Sequence, residues 1–510
     1  MSIASGDSPV IRMSGKSSDL PRLLLGEIGY RCVSSWLPKQ RWFAGKSKKI
    51  AGGAFSEVFR LGGGDQSFYF GGFLELRYET GGEESYFLPL SFSRDAQKTL
   101  SPLSVLVFDD VSGALEDALL IPEFGRSLLN LFCGEIGDIP VCVEKTPIFG
   151  DFSDSIDHNV LPRVLSGEQS NTSLLFDRSL IMKCYRRPEK GGNCDFEMGK
   201  FFASRGSSLP VAPLLGAIGH AREEGDSTLL ALLSGYVQNK GDAWSWLLKE
   251  IDPETIRKND LDRRDRLLGG TVSDLVGKIG ASTGVMHRSL SEGVFPPEMA
   301  PVDFRREDWD DLERSVSAIL SEIFPERGGS PPSWWPEAIP FEETVALFDE
   351  RIPSLFASSF PAASSGSLGM KIRCHGDFHL GQLLVTDALD IVVIDFEGEP
   401  SVPISVRREK RTPLSDVAGM LRSFDYLSKM IFPDAVDRKV SKALLSEISQ
   451  IFLREYKEKM SGATVLPSGP GFAILLEACL VRKAFYELSY EINNRPGWSV
   501  VPLEGILEIL

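Results

Sequence analysis

The chain has 510 residues, more than one hydrophobic core usually serves, so two to four lobes are expected. Hydrophobic residues at 42% and charged residues at 25% are ordinary for a soluble globular protein, and a formal charge of −16 opposes binding along a phosphate backbone. Nucleic acid is therefore excluded as a general partner. Seven scattered cysteines without a C-x-x-C pair exclude a zinc framework and fit a reducing compartment. No apolar run is long enough for a signal peptide or a membrane span, so the expected location is cytoplasmic, with no membrane partner.

Taken in chain order, residues 1–18 are rich in Ser and Gly and read as a disordered tail, with too little apolar surface to offset ordering entropy. A helical pattern from Leu20 leads into Trp36–Lys46, where aromatic and cationic residues alternate in a packed corner. Residues 51–130 set short aromatic or β-branched runs between glycine clusters, Phe68-Tyr69-Phe70 before Gly71-Gly72 and Leu74–Tyr78 before Gly81-Gly82, the rhythm of antiparallel hairpins. A second strand-turn-strand pattern runs from Pro162 to Tyr185 around the polar bend Gly167–Thr172. Beyond Asp242 apolar residues recur at spacings of three and four, as in Val417, Met420, Leu421 and Phe424, and the second half is expected to be mainly helical. Residues 327–340 and 353–369 are expected as loops, from their Gly, Pro, Ser and Ala content.

The run Arg373-Cys374-His375-Gly376-Asp377-Phe378-His379-Leu380-Gly381-Gln382, followed by Ile394-Asp395-Phe396-Glu397, carries the chemistry. His375 and His379 are four apart, but Gly376 argues against a helix and no third His or Cys follows at ligand spacing, so zinc does not fit. Phosphoryl transfer gives each residue a task. An attacking hydroxyl must lose its proton, and Asp377 is the carboxylate placed to take it. Magnesium arriving with ATP wants hard oxygen ligands, which Gln382 and Asp395 can supply. Leu383–Val385 and Leu389–Ile394 read as two short strands about the turn Thr386–Ala388, a hairpin that returns Asp395 to Gln382. Glu397 is either a further metal oxygen or a solvated charge.

This constellation resembles the H-G-D-x-H-x-x-N and I-D-F/W motifs of aminoglycoside-phosphotransferase-like kinases. The longer string through Gly398-Glu399-Pro400, with Gln382 for the usual Asn and Glu397 for the Gly of D-F-G, is similar to the maltokinases. The resemblance spans Leu20 to Leu507 and implies an α+β, bilobal, protein-kinase-like fold. The expected division is a tail at 1–18, an N-terminal cap of mixed α and antiparallel β at 19–130, an intermediate region and ATP-binding lobe at 131–240, and a helical lobe with catalytic loop and acceptor site at 241–510.

In that frame Lys183, ending an apolar strand, stands where kinases hold the phosphate-pairing lysine, with Glu197 as its helix partner. No G-x-G-x-x-G precedes it, so Ser170, Asn171 and Thr172 are the candidates to cover the phosphates. Adenine should meet backbone near Tyr236 and Val237. The maltokinase strings R-S-F-D-Y and Y-E-x-x-N-R-P-x-W match segments holding Arg422, Asp425, Tyr490, Glu491, Asn494 and Trp498, which with His379 form the expected acceptor set. The basic run Arg407, Arg408, Lys410 and Arg411 reads as a solvated loop first and a phosphate-attracting rim second.

The activity the resemblance implies is ATP- and magnesium-dependent phosphorylation of maltose at its anomeric hydroxyl. The product, maltose 1-phosphate, would feed α-glucan (glycogen) synthesis from trehalose. Two rivals stand beside it: a glucosamine or aminoglycoside kinase of the same fold, and a non-catalytic module docking on trehalose synthase, a partner that only the family suggests. Monomer and dimer are both open.

Overall fold

In the first half of the chain, runs of aromatic and aliphatic residues give strands buried on both faces, alternate side chains entering two separate cores, and six strands assemble a long sheet. They are β1 (Val10–Arg12), β2 (Ile50–Gly63), β3 (Ser67–Tyr78), β4 (Glu83–Ser93), β5 (Ser104–Val107) and β6 (Ser112–Asp117), in the order β1-β5-β6-β4-β3-β2. The structure is a computed structural model. It describes residues 8–64, 67–95, 101–134, 139–153, 156–165, 170–189, 191–206, 208–221, 227–258, 267–325, 330–363, 366–399 and 402–510.

The sheet corrects two expectations. Val10–Arg12 pair in parallel with Val105–Val107 instead of forming a loose tail, because edge pairing satisfies backbone groups whatever the local composition; residues 1–7 lie outside the described residues. Gly71 and Gly72 do not end a strand. They sit inside β3, where an added Cβ would lie 2.5 Å from the rings of Phe59 and Phe55 respectively, so their smallness admits aromatic packing. Gly81 and Gly82, at φ 86 and 90, do make the expected turn between β3 and β4.

A second six-stranded sheet follows, from β7 (Val141–Lys145), β8 (Arg163–Val164), β9 (Asn171–Phe176), β10 (Leu180–Tyr185), β11 (Leu214–Ala221) and β12 (Ser227–Gly235), in the order β7-β11-β12-β10-β9-β8. Every residue of β9 is buried. The two sheets share one core, in which Phe59, Phe73 and Phe87 of the first join Phe176, Met182 and Leu233 of the second. Together they belong to one compact unit, Met1–Ser207 with Ala212–Tyr236.

A buried ion pair ties the sheets chemically. Arg186, 1% exposed, gives Nη2 to Asp117 Oδ2 at 2.6 Å and Nε to Thr172 Oγ1 at 2.9 Å, with its guanidinium 4.7 Å from the Trp42 ring. Asp117→Ala would leave that guanidinium buried without its carboxylate, a loss of about 3–5 kcal/mol. A urea melt of the variant checks this, and an unchanged midpoint would remove the pair from the stability of this unit.

The second unit, Ser208–Val211 with Val237–Leu510, is mainly helical. Helices Gly270–Ser289 and Arg438–Lys459 lie close together because Gly280 faces the partner backbone, where a Cβ would stand 2.3 Å from Phe452 O. Residues 353–363, expected as loop, complete helix Phe341–Ala363: Phe348, Ile352 and Phe356 hold a buried spacing of four, and Ser and Ala do not oppose it. The remaining strands are β13 (Asn239–Asp242), β14 (Val302–Asp303), β15 (Met370–Lys371), β16 (Leu383–Thr386) and β17 (Ile391–Val393). β16 and β17 are the expected hairpin, paired antiparallel and extended by β13. No helix among the described residues is long and apolar enough to cross a membrane.

Candidate active site

The hairpin fixes the distance between the two motifs. Gln382 immediately precedes β16, Asp395 follows β17, and the Ile394 amide donates to Gln382 O at 3.0 Å. Gln382 Nε2 donates to Asp395 Oδ2 at 3.2 Å, which leaves the Gln382 carbonyl oxygen as its remaining ligand atom. Asp395 stands at φ 67, a left-handed conformation that Asp tolerates and that clusters at functional sites. Asp395 and Glu397 each offer a carboxylate oxygen within 4.8 Å of the other. A donor set of two carboxylates and an amide oxygen is hard and anionic, which suits magnesium.

Asp377 is carried by a loop anchored from beneath. Asp416, at the start of helix Leu414–Ile431 and 2% exposed, accepts from the His375 amide at 2.8 Å and the Gly376 amide at 3.0 Å. His287 Nε2 lies 3.1 Å from the same carboxylate, and its Nδ1 is 3.1 Å from the Tyr456 hydroxyl. Burial disfavours the Asp416 charge, but His287, His375 and the Gly376 amide outweigh it and hold its pKa below the usual carboxylate range. The His375 ring closes the loop, with Nε2 2.9 Å from Ile394 O and Nδ1 accepting from the Asp377 amide at 3.3 Å. The loop that carries Asp377 and the hairpin that carries Gln382 and Asp395 thus share one hydrogen-bond frame.

Two groups around Asp377 shape its chemistry. His379 accepts from the Gly381 amide at Nδ1, 3.0 Å away, so its proton sits on Nε2, 3.8 Å from Asp377 Oδ2. Burial lowers the His379 pKa against the pull of Asp377. Lys483, from helix Gly471–Asn494, places Nζ 3.5 Å from Asp377 Oδ1 and 2.9 Å from Glu399 Oε1. Burial opposes its charge, yet Glu399, Asp377 and Glu487 overcome this and raise its pKa above the ordinary lysine value. Sequence reasoning missed Lys483 and Glu399. The signal for Lys483 was helical spacing, four residues before Glu487 on one face, and that for Glu399 its place in the string Gly398-Glu399-Pro400.

In the first unit, Lys183 sits in β10 opposite Ser173 of β9. Its Nζ lies 3.3 Å from Asp195 Oδ2, which also accepts from the Tyr185 hydroxyl at 3.2 Å. Asp195 and the expected partner Glu197 both stand in the first turn of helix Cys194–Arg205, so the sequence located the helix but omitted one of its acids. Of the three residues expected over the phosphates, Ser170 is exposed, Asn171 is buried and donates to Ser170 Oγ at 3.2 Å, and Thr172 is buried with its hydroxyl engaged by Arg186. Thr172 therefore serves the ion pair beneath the strand; residues 166–169 of the bend lie outside the described residues. The Tyr236 amide donates to Ser179 O at 2.8 Å, and Val237 O accepts from the Asn239 side chain at 2.7 Å.

The acceptor set divides. Arg422 and Asp425, 3% and 4% exposed, bond each other at 2.6 Å, and Arg422 Nε reaches Glu487 at 2.8 Å. The buried face of the helix extends over this pair, and among the described residues Arg422 Nη2 and Asp425 Oδ1 make no hydrogen bond. Glu491, 2% exposed, is held by both Arg495 (2.6 and 2.9 Å) and the Tyr426 hydroxyl (3.3 Å). Asn494 bonds the Tyr490 carbonyl at 2.9 Å. Trp498 stacks on Tyr426 at 6.4 Å and 10°, and the Arg495 guanidinium lies 5.5 Å from Trp498 and 5.8 Å from Tyr490. Tyr426, Trp498, Arg495 and Tyr490 thus form one aromatic and cationic cluster.

Comparison with known proteins agrees with this architecture. Residues 36–118 match the maltokinase N-terminal cap domain. A glucosamine kinase from Streptacidiphilus jiangxiensis is 23% identical over 353 residues, 67% of this chain and 72% of that protein. Another, from Mycolicibacterium smegmatis, is 20% identical over 356 residues, 67% and 77% of the two chains. A solved structure of glucosamine kinase in complex with glucosamine, ADP and inorganic phosphate superposes with a TM-score of 0.62, covering 94% of this chain and 98% of that one at 17% identity. The protein has an α+β, kinase-like fold with an N-terminal cap. Within that class, residues 36–118 are similar to the maltokinase cap and the fold is similar to that of the solved glucosamine kinase.

Proposed function

We propose that the protein is an ATP-dependent sugar kinase acting on a neutral sugar, with the anomeric hydroxyl of maltose as its first acceptor and maltose 1-phosphate and ADP as products. Asp377 takes the hydroxyl proton as the bond to phosphorus forms, and the loop bonds to Asp416 keep its carboxylate in place. Gln382, Asp395 and Glu397 are the residues that would hold magnesium, which when bound neutralises phosphate charge. Lys183, oriented by Asp195, binds phosphate oxygens.

The observation that carries the choice of a neutral acceptor is Lys483, whose ammonium lies 3.5 Å from Asp377. Two like charges about 4 Å apart repel by about 4 kcal/mol at an effective dielectric of about 20, so an aminium beside the reacting hydroxyl meets a penalty that a neutral sugar avoids. Asp425 and Glu487 bond Arg422, and Glu491 bonds Arg495, so these three carboxylates already have cationic partners. Glucosamine is the second reading, favoured by the relatives that bear that name.

A coupled ADP-release assay with maltose, glucose and glucosamine separates them. Maltose is expected to give the highest kcat/KM. Robust glucosamine turnover with inert maltose would overturn the assignment.

A further inference from the structure

The basic run at 407–411 borders a pocket. Arg408, Lys410 and Arg411 enter the wall of an open pocket of about 660 Å³ together with Lys371 and Arg482, inside the range that holds small ligands. Val302, Phe304 and Leu312 form an apolar wall. Three acids also line the pocket. Asp308 is bonded to Lys371 at 2.5 Å and Asp311 is paired with Arg314, which leaves Glu409 of the lining acids, with Glu298 nearby acting on Lys410, to face the other cations.

Among the described residues, the guanidiniums of Arg411 and Arg482 make no hydrogen bond or ion pair. Glu399, the carboxylate whose charge reaches Arg482, is bonded to Lys483. The cations oppose one another: burial and then Arg411 lower the Arg482 pKa, and burial, Arg373 and Lys371 lower that of Lys410. Holding uncompensated guanidiniums together costs free energy that a planar oxyanion bonded to both would recover.

We propose that this pocket binds a small phosphate monoester, its phosphate between Arg411 and Arg482 and its carbon body against Val302, Phe304 and Leu312. The position gives such a ligand a route to the catalytic loop. The Arg411 backbone exchanges hydrogen bonds with Ile372 at 2.8 and 2.9 Å, three residues before His375, and Arg482 adjoins Lys483. The site is separate from the groups assigned to nucleotide and acceptor, and its existence does not depend on which sugar is phosphorylated.

Calorimetric titration of the full chain tests this with glucose 6-phosphate, inorganic phosphate and glucose as probes. Saturable binding of glucose 6-phosphate is expected, with phosphate weaker and glucose silent. Phosphate binding as tightly as the ester would remove the apolar wall from the proposal. Arg482→Met and Arg411→Met should each weaken the ester at least tenfold while leaving the KM for ATP unchanged, and Arg482→Lys should restore part of the loss. Thermal melts establish that each variant is folded. No saturable binding by the wild type would overturn the proposal, as would binding that survives both Met variants but is lost in Asp395→Ala, which would place the anion with the nucleotide groups.

Discussion

Asp377→Asn is expected to lower kcat by about two to four orders of magnitude, the span associated with losing a general base. The substitution keeps the size and planarity of the side chain and removes only its capacity to accept the hydroxyl proton. Its surroundings should tolerate the change. Lys483 keeps Glu399 at 2.9 Å when the Asp377 charge is gone, and the Asp377 amide still donates to His375. The loop stays anchored through His375 and Gly376, whose bonds do not involve the altered group. Thermal stability and the KM for ATP should therefore remain near wild type while turnover collapses. Steady-state kinetics beside a thermal melt measure both, and a variant that retains wild-type kcat would remove Asp377 from proton transfer.

What could be read from the chain beforehand follows a physical division. Asp377, Gln382, Asp395 and Lys183 could be singled out because their positions are set by local sequence: a tight loop, a two-strand hairpin and a strand with period two. Lys483, Glu399 and Asp195 were missed because their meaning comes from contacts across long separations, such as the 106 residues between Asp377 and Lys483. The burial of Arg422 and Asp425 escaped the sequence for a related reason. Periodicity showed them off the main apolar stripe, but could not show that Glu487, 65 residues after Arg422, would meet them and let the charges be buried. Glycine was ambiguous in the same way: Gly81-Gly82 turn the chain, while Gly71-Gly72 admit rings from other parts of the sheet, and composition alone does not separate these uses.

Asp416→Ala should be among the most damaging single changes in the second unit, though Asp416 touches no reacting atom in the proposed mechanism. Its carboxylate receives two backbone amides and faces His287, so truncation leaves three buried polar groups without their acceptor. Breaking a buried charged network in this way costs about 3–5 kcal/mol, a large part of the stability of an ordinary domain. Turnover should fall as well, because the two amides fix the segment that presents Asp377. The pH dependence gives a readout specific to the charge. The folded-state pKa of Asp416 lies below its ordinary value, so its contribution is full above the unfolded carboxylate pKa of about 3.9 and is lost as pH falls through the folded value. Asp416→Asn, which keeps one acceptor oxygen but no charge, should therefore destabilise the protein at neutral pH and flatten the acid limb of its stability curve. Urea melts across the acid range compare the two variants with wild type. Wild-type midpoints and turnover in both would show that the loop is held without Asp416.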